Sequence, residues 1–140
     1  MKLRLLFLIP VLLVASCKKN RTHPVPSLPF DIIVNMSLPS YVPLQGAGGW
    51  AYVSGGSKGI IIYRRSYDDF VAFDRHSPAP GGTECATPLT PDSTNFLELN
   101  DVCSGARFSL FDGSPISGSE LGLRQYPVVW DGNYTLRVYN

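Results

Sequence analysis

Three cysteines, two histidines and 11 acidic side chains supply the metal-ligating and acid–base chemistry of this chain of 140 residues. Between Phe73 and Pro115 the inventory is His76, Cys85 and Cys103 with Asp74, Glu84, Asp92, Glu98, Asp101 and Asp112. Two chemistries compete for Cys85 and Cys103. As thiolates they would hold a metal together with His76 and Asp101 or Asp74, but that spacing matches no usual ligand cadence. In an oxidising compartment they would instead pair with each other, across 18 residues, and contribute about 3 kcal/mol if unstrained. A staple suits this stretch, because Ser77-Pro78-Ala79-Pro80-Gly81-Gly82 and Thr87-Pro88-Leu89-Thr90-Pro91-Asp92 cannot build a regular ladder. Proline donates no amide hydrogen and restricts the residue before it.

Nucleophilic and phosphate chemistry find less support. His76 and Ser77 are adjacent, so their side chains diverge, and one domain histidine among scattered Ser and Asp makes no triad. His76 therefore reads as a surface-loop residue. Gly46-Ala47-Gly48-Gly49 and Gly55-Gly56 are not followed by a helix whose amino terminus would hold an anion, so they read as turns. Arg64-Arg65 with Asp68-Asp69 reads as a solvated connection at a strand end. No enzyme is expected.

The first twenty residues carry an address. Met1-Lys2-Leu3-Arg4 is a basic start, and Leu5 to Val14 is an apolar run too short to span a bilayer as a finished helix. The run closes on Leu13-Val14-Ala15-Ser16-Cys17, which resembles the bacterial lipobox, where the Cys becomes the first mature residue and carries the lipid. The organisation expected is a signal peptide over 1–16, a lipidated Cys17 with a Pro-rich tether over 17–29, and a folded domain over 30–140. This places the protein in the bacterial cell envelope as a membrane-anchored lipoprotein. Its tether has Lys18, Lys19 and Arg21 in place of an acidic export cue, and so is read as facing the periplasm. Removing Lys2 and Arg4 from the 12 basic residues leaves 10 against 11 acidic ones, so clustered phosphate contacts are not expected and nucleic acid is not a partner.

The elements that must position the loop residues are strands. Ile32 to Leu38, Trp50 to Val53, Gly59 to Tyr63, Phe70 to Asp74, Phe96 to Leu99, Arg107 to Leu110, Val128 to Trp130 and Thr135 to Val138 are short and β-branched or aromatic, with Asp112-Gly113 and Asp131-Gly132 among the turn signals between them. No twelve-residue window shows a helical stripe. With 13 Gly and 12 Pro, the chain predicts an all-β, antiparallel small sandwich or barrel carrying an inserted two-loop subdomain over about 74–115. Trp50, Tyr52, Tyr63, Phe73, Phe108, Trp130 and Tyr134 are the large core candidates.

Phe70-Val71-Ala72-Phe73-Asp74-Arg75, then Cys103-Ser104-Gly105-Ala106-Arg107-Phe108-Ser109-Leu110-Phe111-Asp112-Gly113, then Leu123-Arg124-Gln125-Tyr126-Pro127-Val128 together resemble the Rieske iron-sulfur domain over most of residues 30 to 140. That family runs from a strand into a Cys-x-His loop, returns through Cys-x-x-His-Gly-Ser-x-Phe and continues to a Leu-x-x-Tyr-Pro-Val strand. Its 2Fe-2S cluster needs two Cys thiolates on one iron and two His nitrogens on the other. Registered on this chain, the family's first-loop ligands fall on Ser77 and Ala79, and its second-loop ligands on Asp101 and Ser104. Cys103 falls on a non-ligand cysteine that in some members pairs with the first loop, here through Cys85. The resemblance thus implies a cluster-free domain that keeps the scaffold and a two-loop tip suited to binding an envelope protein or scaffolding. The alternative is Rieske-type electron transfer through a 2Fe-2S cluster.

Overall fold

The computed structural model describes residues 22–140, so Cys17 and the signal segment lie outside the described residues. The strands are β1 (Asp31–Asn35), β2 (Trp50–Val53), β3 (Ile60–Arg64), β4 (Phe70–Asp74), β5 (Thr90–Pro91), β6 (Glu98–Asn100), β7 (Arg107–Ser109), β8 (Pro115–Ser117), β9 (Gln125–Tyr126), β10 (Val128–Trp130) and β11 (Thr135–Tyr139). A short 3-10 helix spans Pro39–Gln45. Every pairing is antiparallel, in sheets of order β1-β11-β10, β2-β3-β4-β9 and β5-β6-β7-β8. The chain is all-β as its sequence predicts, and among the described residues no sheet closes into a barrel.

The β2-β3-β4-β9 sheet is a middle layer. β3 is buried at every position, and strand alternation sends its side chains to two separate cores. Ile60 and Ile62 join Val34, Leu136 and Val138 of the β1-β11-β10 sheet, with Ala72 and Tyr126. Ile61 and Tyr63, with Val71 and Phe73, meet Leu89, Leu99, Phe108 and Leu110 from the segment between β4 and β9. Each fully buried Ile, Leu or Phe contributes on the order of 1.5–3 kcal/mol, so both outer layers are held on by β3 and β4.

Some expectations shift for local reasons. β1 stops at Asn35 because the Asn35 Oδ1 accepts the Ser37 amide at 2.9 Å and its hydroxyl at 2.6 Å, turning the chain before Pro39 opens the 3-10 helix. The strand predicted from Phe96 begins only at Glu98, because the Asp92 Oδ1 accepts the amides of Thr94 (2.7 Å) and Asn95 (2.8 Å) and leaves Phe96 and Leu97 facing outward. Tyr63, Phe73 and Phe108 are buried, while Trp50 and Trp130 are half-buried against the two cores. Tyr52 and Tyr134 are exposed instead. Tyr52 occupies the outward position of edge strand β2, with the Arg75 guanidinium 3.6 Å from its ring centroid, and Tyr134 follows the β10–β11 turn.

From His23 onward the Pro-rich stretch lies against the domain. Val25 is fully buried, its carbonyl accepts Arg124 Nη2 at 2.7 Å, His23 Nε2 donates to the Gly122 carbonyl at 3.0 Å, and Asn140 Nδ2 donates to the Leu28 carbonyl at 2.7 Å. Prolines leave this stretch rich in acceptors and poor in donors, and Arg124 and Asn140 supply the donors. The tether expected over 17–29 thus packs on the domain from His23 onward.

Candidate functional site

Beyond the end of β4 the chain enters the first loop, mounted on one buried carboxylate. Asp74 is fully buried. Its Oδ1 accepts the amides of His76 (2.8 Å) and Lys58 (3.2 Å), and its Oδ2 accepts the Ser57 amide (2.6 Å) and the Tyr126 hydroxyl (2.7 Å). Four donors make a buried charge tolerable. Burial, then the hydrogen bond to Asp74 and its charge, push the Tyr126 phenol well above its ordinary range. Gly56, at φ +60°, is required here, because a Cβ would lie 2.4 Å from Asp74 Oδ2.

His76 is only 7% exposed, which overturns its reading as a surface-loop residue. The Thr83 carbonyl lies 2.6 Å from Nε2 and can only accept, so Nε2 donates to it, and Nδ1 shares a hydrogen bond of 2.7 Å with the Ser57 hydroxyl. Lys58 Nζ donates to the Thr83 carbonyl at 3.2 Å and to the Cys85 carbonyl. The first loop is thus tied to the β2–β3 turn by side chains in place of ladder bonds.

A second network joins this loop to the turn that begins at Asp101. Cys85 and Cys103 form a disulfide with their Cα atoms 5.8 Å apart. Asp101 is 3% exposed, and its Oδ1 accepts the amides of Cys103 (2.9 Å) and Ser104 (3.3 Å) while Oδ2 accepts the Ser104 hydroxyl (2.6 Å). The Ser77 hydroxyl also donates to this carboxylate and accepts the Ala79 amide at 3.2 Å. Burial pushes the Asp101 carboxyl up, but the hydrogen bonds from Ser104, Ser77 and the two amides outweigh it and hold the group below the usual carboxylate range. Gly82 packs flat on the network, since a Cβ there would sit 1.9 Å from Asp101 Oδ2 and 2.5 Å from Ser77 Oγ. Ser77, Asp101 and Ser104 therefore converge, with the Ala79 methyl buried behind them in the second core.

The chemistry open to this arrangement is limited. Two hydroxyls, a methyl and an already saturated carboxylate do not fit a 2Fe-2S cluster, which needs thiolates and imidazoles. The Cys85 and Cys103 sulfurs and an Asp101 oxygen lie within 4.8 Å of one another, but the sulfurs are bonded to each other and the carboxylate is taken by its donors. Ser57 and His76 have the spacing of a nucleophile and a base. The neighbouring Ser57 and Lys58 amides are both spent on Asp74, which leaves neither free to stabilise an oxyanion.

What remains is a surface. Pro78 and Pro80 of the first loop face Gly118, Ser119, Glu120 and Leu121 across an open cleft of about 410 Å³. The second turn presents Val102, 65% exposed and adjacent in sequence to the disulfide-bonded Cys103. The loops and the cysteines are legible in the sequence. The parts played by Ser57, Lys58, Asp74 and Gly82 are not, because glycine-rich turns and single aspartates carry no signal of the partner they meet. Compared with protein-family models and with curated proteins, the chain matches none.

Proposed function

We propose that this chain is a membrane-anchored envelope lipoprotein whose cluster-free, Rieske-like domain binds or scaffolds another protein through its two-loop tip. The observation that carries this reading is the Ser77–Asp101–Ser104 network under the Cys85–Cys103 disulfide. It fills the space between the loops with hydrogen bonds and leaves apolar Val102 and the Pro78–Leu121 cleft at the surface. Loops fixed by a staple and mounted on buried sheets lose little conformational entropy on binding, which favours recognition. Anchorage is through lipid on Cys17, supported by the sequence of residues 1–17, and faces the periplasm, supported by Lys18, Lys19 and Arg21 in place of an acidic export cue; among the described residues no helix is long and apolar enough to cross a membrane.

The test has two arms. The protein purified anaerobically under mild reduction is expected to be colourless and free of iron and sulfide; a visible-range cluster spectrum would restore the electron-transfer alternative. In membranes, a photo-crosslinker at Val102 is expected to give a protein adduct that a crosslinker at Val129, on the opposite sheet, does not give. Equal labelling from both positions, or none, removes the tip as a docking surface. Cys17→Ala is expected to abolish lipid labelling and processing at that position, and continued membrane anchorage of this variant would remove the lipoprotein reading.

A further inference from the structure

At the opposite end of β3 and β4 from the tip, Arg64 contradicts its expectation as a solvated charge. It is only 5% exposed. Its Nη1 donates to the carbonyls of Leu44 (3.0 Å) and Gln45 (2.6 Å), its Nε to those of Ser66 and Tyr67 (3.1 Å each), and its Nη2 to Tyr67. The guanidinium carbon lies 4.8 Å from the Phe70 ring centroid, 5.3 Å from Trp130 and 5.6 Å from Tyr67. Among the described residues no carboxylate pairs with it. Carbonyl dipoles and aromatic faces stabilise the buried cation and hold its plane rigid.

That plane is part of the wall of a second pocket, of about 260 Å³, whose other lining includes Gln45, Tyr67, Trp130, Asn133 and Tyr134. Folding accounts for Arg64 and Trp130. It draws the Tyr67 ring against Arg64 and Trp130, but it accounts neither for the 77% of Tyr67 that stays exposed nor for Tyr134 at 56% exposure flanking the same opening, with neither hydroxyl meeting a partner among the described residues. Trp130 is already fixed: its Nε1 donates to the Asn133 carbonyl at 2.8 Å, and Tyr67 stands edge-on to it with ring centroids 5.8 Å apart. The opening is thus a preorganised aromatic frame with amide and guanidinium edges.

We infer that this pocket binds one pyranose ring of a neutral saccharide. A pyranose presents a C–H face, whose polarised hydrogens suit the electron-rich face of Tyr or Trp, and a rim of hydroxyls that both donate and accept. Gln45 Nε2 is spent on the Met36 carbonyl, which leaves its amide oxygen as an acceptor, and Asn133 offers a complete side-chain amide. At about 260 Å³ the pocket falls just below the roughly 300–1,000 Å³ of sites for drug-sized ligands, which suits a single ring. Charge does not favour an anion: the Arg64 Nε and Nη1 hydrogens are already donated to the carbonyls of Ser66, Tyr67, Leu44 and Gln45.

The experiment uses the full chain in a sugar-free detergent, with Trp50→Phe leaving Trp130 as the fluorescent reporter. The probes are methyl α-glucopyranoside, methyl α-mannopyranoside, methyl β-galactopyranoside and N-acetylglucosamine, with glucuronate and benzoate as anionic controls. At least one neutral pyranoside is expected to change Trp130 emission saturably in the millimolar range. Tyr67→Ala and Tyr134→Ala are expected to weaken it by about tenfold or more, equivalent to about 1.4 kcal/mol, with the thermal midpoint of Tyr134→Ala unchanged. Both tyrosines are exposed, so these variants are expected to fold. The inference is overturned if no neutral pyranoside perturbs Trp130, if glucuronate or benzoate binds more tightly, or if both tyrosine variants bind as well as the parent.

Discussion

Asp74 and Asp101 are both buried carboxylates, but they do different work. Asp74 gathers four donors from three places in the chain, whereas most of Asp101's donors come from its own turn. Removing the one side-chain donor on Asp74 is therefore expected to cost more than an exposed hydrogen bond would. Tyr126→Phe should destabilise the fold by about 1.5–3 kcal/mol, because the bond is to a charged, buried acceptor; chemical denaturation of the variant checks this. Asp101 makes a prediction in pH. Its carboxyl is held below the usual range when folded, so the unfolded chain binds the proton more readily. Its contribution is complete above the unfolded value, near 3.9, and is lost as pH falls below that and through the folded value. Thermal midpoints measured across this acid window should fall less steeply for Asp101→Asn than for the parent, and identical slopes would show that Asp101 carries no such linkage.

At the scale of elements, the tip is two loops without a ladder between them, and the disulfide substitutes for one. Cys103→Ser should cost about 3 kcal/mol and lower the thermal midpoint by roughly 10 °C, with the sheets intact by far-ultraviolet circular dichroism. A variant as stable as the parent would mean that the side-chain networks of Asp74 and Asp101 hold the tip alone. The loops are visible in the sequence as proline runs, and the two cysteines in them pair with each other. Their mounting was not visible. His76 looks like a surface residue until the β2–β3 turn is brought beside it, and Arg64 looks solvated until the 3-10 helix offers the Leu44 and Gln45 carbonyls. Both misreadings have one cause: the partners are backbone carbonyls or hydroxyls distant in sequence, which no local pattern reports.

For the whole molecule, the decisive feature is that β3 contributes to two cores at once. Ile60 and Ile62 serve one and Ile61 and Tyr63 the other, so neither outer layer can detach without exposing a face of the middle sheet. Unfolding is expected to be a single cooperative transition. Trp130 packs on the first core and Trp50 on the second, so single-tryptophan variants report the two layers separately. Their denaturation midpoints should coincide, and separated midpoints would show that the layers fold as independent units. The molecule then offers two surfaces at opposite ends of one rigid strand pair, the stapled tip beyond Asp74 and the aromatic pocket at Arg64.

Sequence alone determined the fold class and the punctuation of this protein. The short β-branched and aromatic runs, Gly59 to Tyr63 among them, read as strands, and the Gly and Pro turns between them leave no room for long helices. Tertiary structure alone decided which polar groups are buried and what satisfies them: the four donors on Asp74, the serines on Asp101, and the carbonyl cage around Arg64. Apolar burial is written in local periodicity, because it follows the repeat of the strand. Polar satisfaction is set by which backbone atoms come to face a side chain once the layers have stacked, and that is a property of the assembled chain.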